Sequence, residues 1–295
     1  MKTYNDCIPC LVRQALGAAR LVTDKEDDHS RVLKLVLADM ADMDMKQSPP
    51  MMARKIQQTI AGVTGNKDPY RELKKQFNRF SLELYPDLKA MVDKSATPLK
   101  TAIQLAIAGN IIDFGAVSNL DKATVFDTID HAMTHEVKGD LQGLIQALAR
   151  PERILWIADN AGEIVFDRLV LERIDLSRVI FVVRGGAVLN DATLEDAAET
   201  GISDLVTTID SGAAIPGTVL GECSESFLQA FDQADLIISK GQGNYETLPH
   251  DDDRIFFLFK AKCQMVAGLA GVSLDDMVVW KRHEQQTTMT RRKTS

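Results

Sequence analysis

The sequence has no apolar run of about eighteen residues, the length a membrane-spanning helix requires. Its start, Met1-Lys-Thr-Tyr-Asn-Asp6, lacks the apolar stretch of a secretory signal. Cytoplasmic residence without a membrane partner is the default expectation. Cysteine is scarce: Cys7, Cys10, Cys223 and Cys263 are too few and too scattered for a disulfide framework in 295 residues, so reduced thiols are expected. Positive charge is not in excess either. With 34 Lys and Arg against 42 Asp and Glu, the formal net charge of −8 argues against a nucleic-acid surface, which needs clustered basic residues. No internal repeat or low-complexity tract is visible. What is there is a chain of 45% hydrophobic content, able to bury one large core or two moderate ones without crosslinks.

Up to about residue 150 the apolar residues recur at three- and four-residue spacing, as in Val32-Leu33-Leu35-Val36-Leu37-Met40 and Leu99-Ile103-Leu105-Ala106. Ser48-Pro49-Pro50 and Asp68-Pro69 read as helix starts, and Gly62, Gly65 and Gly109 as helix ends. From Arg153 the pattern changes to short β-rich runs at Ile154–Ala158, Val179–Val183, Leu205–Ile209, Leu236–Ser239 and Ile255–Phe259, separated by helical segments. Continuous apolar runs suit parallel strands buried on both faces. The expected fold is α/β: a helical domain over 1–150, then a three-layer α/β/α domain over 151–283 with a mainly parallel, Rossmann-like sheet. The boundary falls near Ala149-Arg150-Pro151, and residues 284–295 read as a polar tail.

Each of these runs leads into polar residues. Asp159-Asn160-Ala-Gly-Glu163 follows the first, Arg184-Gly185-Gly186 through Asn190-Asp191 the second, Asp210-Ser-Gly212 the third, Lys240-Gly241-Gln-Gly243-Asn244-Tyr-Glu246 the fourth and Lys260-Ala-Lys262-Cys263 the fifth. Taken singly, Asp159 or Asn160 is an ordinary helix cap, and the glycines are ordinary turn residues. Convergence on one edge of a parallel sheet, where ligands bind, makes them candidates for an active site. Asp159, Asn160 and Asp191 are the choices for ligands to a hard divalent cation, with Glu163 one helical turn on to orient a ligand or water. Lys240 or Lys262 would neutralise phosphate charge, and Gly241 and Gly243 would let backbone N–H groups approach it. Arg184, Asn190, Asn244 and Glu246 in the same clusters are candidates for substrate binding, as are Asn110 and Asp113, which share one helical face.

These motifs resemble those of the metal-dependent damage-control phosphatases, also catalogued as domain of unknown function eighty-nine and as acidic-residue methyltransferase-like proteins. The resemblance spans most of the chain. It rests on Cys7-Ile-Pro-Cys10, Ala108-Gly-Asn110-Ile-Ile-Asp113, Asp159-Asn160-Ala-Gly-Glu163, Asn190-Asp191-Ala-Thr193, Lys240-Gly-Gln-Gly-Asn244-Tyr-Glu246 and Lys262-Cys263. It implies a helical region beside an α/β/α domain, a divalent cation (Mg²⁺, Mn²⁺, Co²⁺ or Ni²⁺) held by Asp159, Asn160 and Asp191, and hydrolysis of small phosphate monoesters such as sugar phosphates. The N-terminal Cys-x-x-Cys is similar to that of the prokaryotic subgroup. No second Cys-x-x-Cys or His pair completes a zinc site, so a structural thiol pair is the first reading and a redox or soft-metal role with Cys263 the second. His131 and His135, one turn apart, read as a surface coincidence.

Other functions fit less well. The first run leads to no G-x-G-x-x-G, which weighs against a dinucleotide oxidoreductase, and no glycine-rich loop follows it to bind a methyl donor for carboxyl methylation. A phosphatase with an Asp nucleophile would carry a second Asp two positions on, where this chain has Ala161, so attack by water is expected. A non-catalytic metal- or ligand-binding protein is the remaining alternative.

Overall fold

The computed structural model describes residues 1–110, 122–150 and 153–282. Asp113, Pro151, His283 and the expected tail lie outside them. The chain runs α1 (Cys7–Val22), α2 (Glu26–Ala41), α3 (Pro49–Thr64), α4 (Arg71–Lys94), α5 (Pro98–Ala108), α6 (Lys122–Thr134), β1 (Lys138–Gly139) and α7 (Leu141–Leu148). It continues as β2 (Ile154–Ile157), α8 (Glu163–Leu171), β3 (Val179–Val183), α9 (Leu194–Glu199), α10 (Ile202–Leu205) and β4 (Thr207–Asp210). Last come α11 (Glu225–Gln233), β5 (Leu236–Lys240), α12 (Gln242–Thr247), β6 (Ile255–Lys260), α13 (Gln264–Ala270) and β7 (Met277–Trp280). No helix among the described residues is long and apolar enough to cross a membrane.

The first three helices make their own small core. Leu11, Ala15, Ala18 and Ala19 of α1 meet Val32, Val36 and Met40 of α2 and Met52, Ala53, Ile56 and Ile60 of α3, all at helical spacing. Pro49 and Pro50 open α3, where a missing N–H costs nothing, and Gly65 closes it at φ 74°. Gly62, expected as an end, lies inside α3. Helices α4 and α5 belong to a different core: Phe77, Leu84, Leu88, Ala102 and Ile103 pack with Trp156, Phe181 and Ile238 of the sheet. The division near residue 150 is therefore one of chain order, and the larger core crosses it.

The sheet has seven strands in the order β1-β7-β6-β5-β2-β3-β4. All five expected strands, β2 to β6, are mutually parallel. The antiparallel β7 and the two-residue β1 extend one edge. Side chains alternate between two cores: Trp156, Phe181, Ile238 and Leu258 face α4, α5 and α8, whereas Leu155, Val182, Ile237 and Phe257 face α11, α12 and α13. Burial on both faces explains why the strands read as unbroken apolar runs. From β2 the chain winds outward through β3 and β4, then returns to β5 on the other side of β2. The β2–β5 junction is thus the point where the winding reverses, and a crevice opens there at the strand ends.

Candidate active site

The loops after β2 and β3 are fastened to each other at that crevice. Ala192 N–H donates to the Asp159 carbonyl at 2.8 Å, Ala161 N–H to the Asn190 carbonyl at 2.9 Å, and Asn160 and Asp191 form a single antiparallel bridge. Residues thirty positions apart in sequence are thereby set side by side. Leu189, next to this bridge, adopts φ 47°, which a non-glycine residue occupies only when its surroundings enforce it.

Asp191 is buried, Asp159 beside it is mostly buried, and the two share one guanidinium, that of Arg184. Asp159 Oδ2 accepts from Asn110 Nδ2 at 2.8 Å and from Asn160 Nδ2 at 2.7 Å. Arg184 Nε binds Asp191 Oδ2 at 2.6 Å, and its Nη2, 3.7 Å from Asp159 Oδ1, has no hydrogen-bond partner among the described residues. Burial, with Glu163 and Asp191 adding to it, pushes Asp159 up to about 7 against the opposing pull of Arg184 and Lys262. Burial likewise raises Asp191, with Arg184 opposing. Burial thus outweighs the one guanidinium beside the pair, so a bound cation would be electrostatically favoured there. Asn160, whose amide nitrogen is committed to Asp159 and to Glu163 (3.0 Å), is left with Oδ1 as its free group. Two carboxylates and one amide oxygen fit a hard divalent cation. Among the described residues, no three His, Cys, Asp or Glu side chains gather as a cage.

Gly241 closes the floor. At φ 81° it brings its backbone so near that an added Cβ would stand 2.0 Å from Asp159 Oδ2. Asn244 braces the crevice from behind: its Nδ2 donates to the carbonyls of Lys240 (2.7 Å) and Ala158 (3.3 Å), and its Oδ1 accepts from Arg184 Nη1 (3.1 Å) and Thr218 Oγ1 (2.9 Å).

Above lies a cleft of about 510 Å³ between the strand ends and α1 and α3. Asp159, Asn160, Asn190, Asp191, Gly243, Glu246 and Lys262 line it, facing Cys7, Cys10, Leu11 and Pro50. Arg184, Lys240, Gly241 and Asn244 lie beneath this lining. For Lys240 this differs from the expected place opposite a phosphate. Its side chain is fully buried, and Nζ donates to Glu163 Oε1 (2.6 Å), Asp167 Oδ1 (2.7 Å) and the Ala106 carbonyl (2.9 Å), which uses all three donors. Asn110 reaches the site from the end of α5, donating to Glu163 as well as Asp159. Burial is the largest influence on Glu246 and pushes its carboxyl up to about 7, with the Gln242 hydrogen bond opposing.

Sequence reasoning missed Asp167, Gln242 and Thr218. Asp167 left a signal, since Asp159, Glu163 and Asp167 recur every four residues. Gln242, which binds Glu246 Oε1 at 2.8 Å and accepts from Lys262 N–H at 2.9 Å, left none. All four cysteines are free thiols, and burial raises Cys7 and Cys10 above the usual thiol range. Cys7, Cys10 and Cys263 line the same cleft. His131 and His135 meet edge to face at 4.5 Å and are not part of this lining.

Residues 3–278 match the profile of the damage-control phosphatase ARMT1-like domain. An uncharacterised protein of Methanocaldococcus jannaschii is 37% identical over 297 residues, 96% of each chain. A damage-control phosphatase of Pyrococcus horikoshii is 33% identical over 90% of this chain and 93% of its own, and one of Archaeoglobus fulgidus is 31% identical over 94% and 98%. The crystal structure of a DUF89 family protein from P. horikoshii superposes with a TM-score of 0.86 at 31% identity, covering 96% of this chain and 100% of that one.

Proposed function

The chain belongs to the damage-control phosphatase ARMT1-like family, and from that premise we propose that it is a divalent-metal-dependent phosphatase that hydrolyses small phosphate monoesters, sugar phosphates among them. The observation that carries this reading is the meeting of Asp159, Asn160 and Asp191 at the β2–β5 crevice, where two carboxylates share the single guanidinium of Arg184. These three residues hold the cation. When bound, Mg²⁺, Mn²⁺, Co²⁺ or Ni²⁺ supplies charge neutralisation at the phosphoryl oxygens and a lowered pKa for water.

The chain's own residues do the rest. Lys262, exposed on the cleft rim, meets the phosphate as it enters, and Asn190 and Gly243 contact the substrate beside it. Arg184 holds Asp191 in place and adds positive charge next to Asp159. Water attacks phosphorus as the bond to the alcohol oxygen breaks, and the alcohol leaves with a proton. A volume of about 510 Å³ suits a small metabolite rather than a polymer.

The test is phosphate release from a panel of monoesters by chelated protein to which each metal is restored. Metal-dependent release that Asp159→Ala abolishes is the expected result. Folded protein that releases nothing with any metal would overturn the reading.

A further inference from the structure

Below the candidate ligands runs a chain of buried side chains that no phosphate can touch. Trp156 Nε1 donates to Asp167 Oδ2 at 3.2 Å, and Asp167 Oδ1 accepts from Lys240. Lys240 in turn holds Glu163 Oε1, while Glu163 Oε2 accepts from the amides of Asn110 and Asn160. Asp167 and Lys240 are 0% exposed and Glu163 is 1% exposed, so none has a path to the cleft. The elements joined are β2, β5, α5 and α8, two strands at the switch point and the two helices packed over them.

The geometry points to Asp167 and Lys240 as positioning residues for the cation site, acting through Glu163 to fix which end of the Asn160 amide faces the cleft. An amide has one donating and one accepting end, and only the accepting end can ligate a cation. Both oxygens of Glu163 are engaged, one by Lys240 and one by the amides, so the carboxylate cannot turn. Asn160 must then present Nδ2 to it, which leaves Oδ1 for the ion. Lys240 is itself pinned from three sides. Burial acts to lower its pKa, but the carboxylates of Asp167 and Glu163 outweigh it and keep the group charged. Losing Lys240 leaves Glu163 Oε1 without its partner, and losing Asp167 takes one of the three anchors from Lys240, so either change loosens the carboxylate that orients the amide.

This inference rests on the reading of Asp159, Asn160 and Asp191 as ligands, and its test uses Mn²⁺ alone. Calorimetric titration of the apo protein with Mn²⁺ should show about 10- to 100-fold weaker binding in Lys240→Met and in Asp167→Asn, the usual cost of losing an outer partner of a ligand. The near-isosteric Asp167→Asn guards against a folding failure in Lys240→Met. The decisive measurement is the pairing with Asn160→Ala. If Asp167 acts through Asn160, adding Asp167→Asn to Asn160→Ala costs nothing more, whereas a structural defect adds its full effect. Additive losses, or wild-type Mn²⁺ binding in Asp167→Asn and Lys240→Met, would overturn the assignment. Unchanged Mn²⁺ binding in Asp159→Ala would instead sink the ligand set, so the two failures are distinguishable.

Discussion

Replacing Gly241 by alanine tests the floor of the site directly. The residue sits at φ 81° and ψ 157°, a region essentially reserved for glycine, and forcing alanine into it costs about 1–3 kcal/mol. The added methyl would stand 2.0 Å from Asp159 Oδ2, 2.1 Å from Cγ and 2.6 Å from Oδ1. Contact at such distances is impossible, so the carboxylate or the loop must move by about an ångström, several times what close-packed interiors absorb without loss. Oδ2 is the atom that Asn110 and Asn160 hold at 2.8 and 2.7 Å, so its displacement breaks two hydrogen bonds to a charged group. Each of those contributes about 1.5–3 kcal/mol.

Gly241→Ala is therefore expected to lose about 2–4 kcal/mol of stability, the strain plus part of those bonds. At about 2–4 °C per kcal/mol for a chain somewhat shorter than this one, that is a fall in Tm of roughly 4–16 °C. A second consequence separates site damage from general instability. Wild-type protein with Mn²⁺ at one hundred times its Kd gains about 2.7 kcal/mol from binding, and the variant should gain almost none. Gly17→Ala is the control, because Gly17 lies inside α1 with nothing within 4 Å of an added Cβ. That change should stabilise the helix by about 0.5–1 kcal/mol and leave the Mn²⁺ response untouched. Thermal unfolding with and without Mn²⁺ reads all of this. A Gly241→Ala protein with wild-type Tm and the full Mn²⁺ gain would refute the argument that Asp159 is held against this backbone.

Two further substitutions probe groups away from that contact. Glu246 is held at about 7 when folded, against 4.5 for an ordinary glutamate, so the folded state retains its proton between those values. Stability from this group is complete below pH 4.5 and is lost as pH rises through 7, so Glu246→Gln should match wild type near pH 4 and exceed it by roughly 3 kcal/mol near pH 8. Urea unfolding across that range checks the sign, and parallel profiles would contradict it. Lys74, 4% exposed, bridges from α4 to Asp196 at 3.1 Å and Asp68 at 3.7 Å. Lys74→Met keeps the stem but strands the buried Asp196 carboxylate, and should cost about 3 kcal/mol, measured as a lower urea midpoint at unchanged m. A loss below about 1 kcal/mol would mean that Asn78 and Thr193 satisfy Asp196 unaided.

The five central strands were legible because both faces of the sheet are covered, which makes each strand a continuous apolar run. Met277-Val-Val-Trp280 carries the same signal over only four residues at the edge of a polar tract, and it pairs antiparallel with β6. Lys138-Gly139 carries no signal at all, since β1 joins the sheet through backbone groups alone. The helices over 71–108 were recognisable as helices, but their apolar stripes did not say whether they faced one another or the sheet. That choice moved the core boundary away from residue 150.

Residue types and their places at successive strand ends were enough to select residues that the fold gathers around one crevice, yet not the direction in which each one points. Lys240 shows why. A lysine at the end of a strand invites a phosphate, but side chains alternate along β5, and Leu236 and Ile238 face α4, α5 and α8 while Ile237 faces the opposite layer. Lys240 has the parity of Leu236 and Ile238, so it points under the crevice toward Glu163 and Asp167 of α8. The same parity makes sense of Asp167, one helical turn after Glu163 on the buried face of α8, where such a cation needs it. A lysine with hydrophobic parity on one strand and two carboxylates four residues apart on the helix after its neighbouring strand together announce a buried ion network, and they have to be read together because neither is stable in the core without the other.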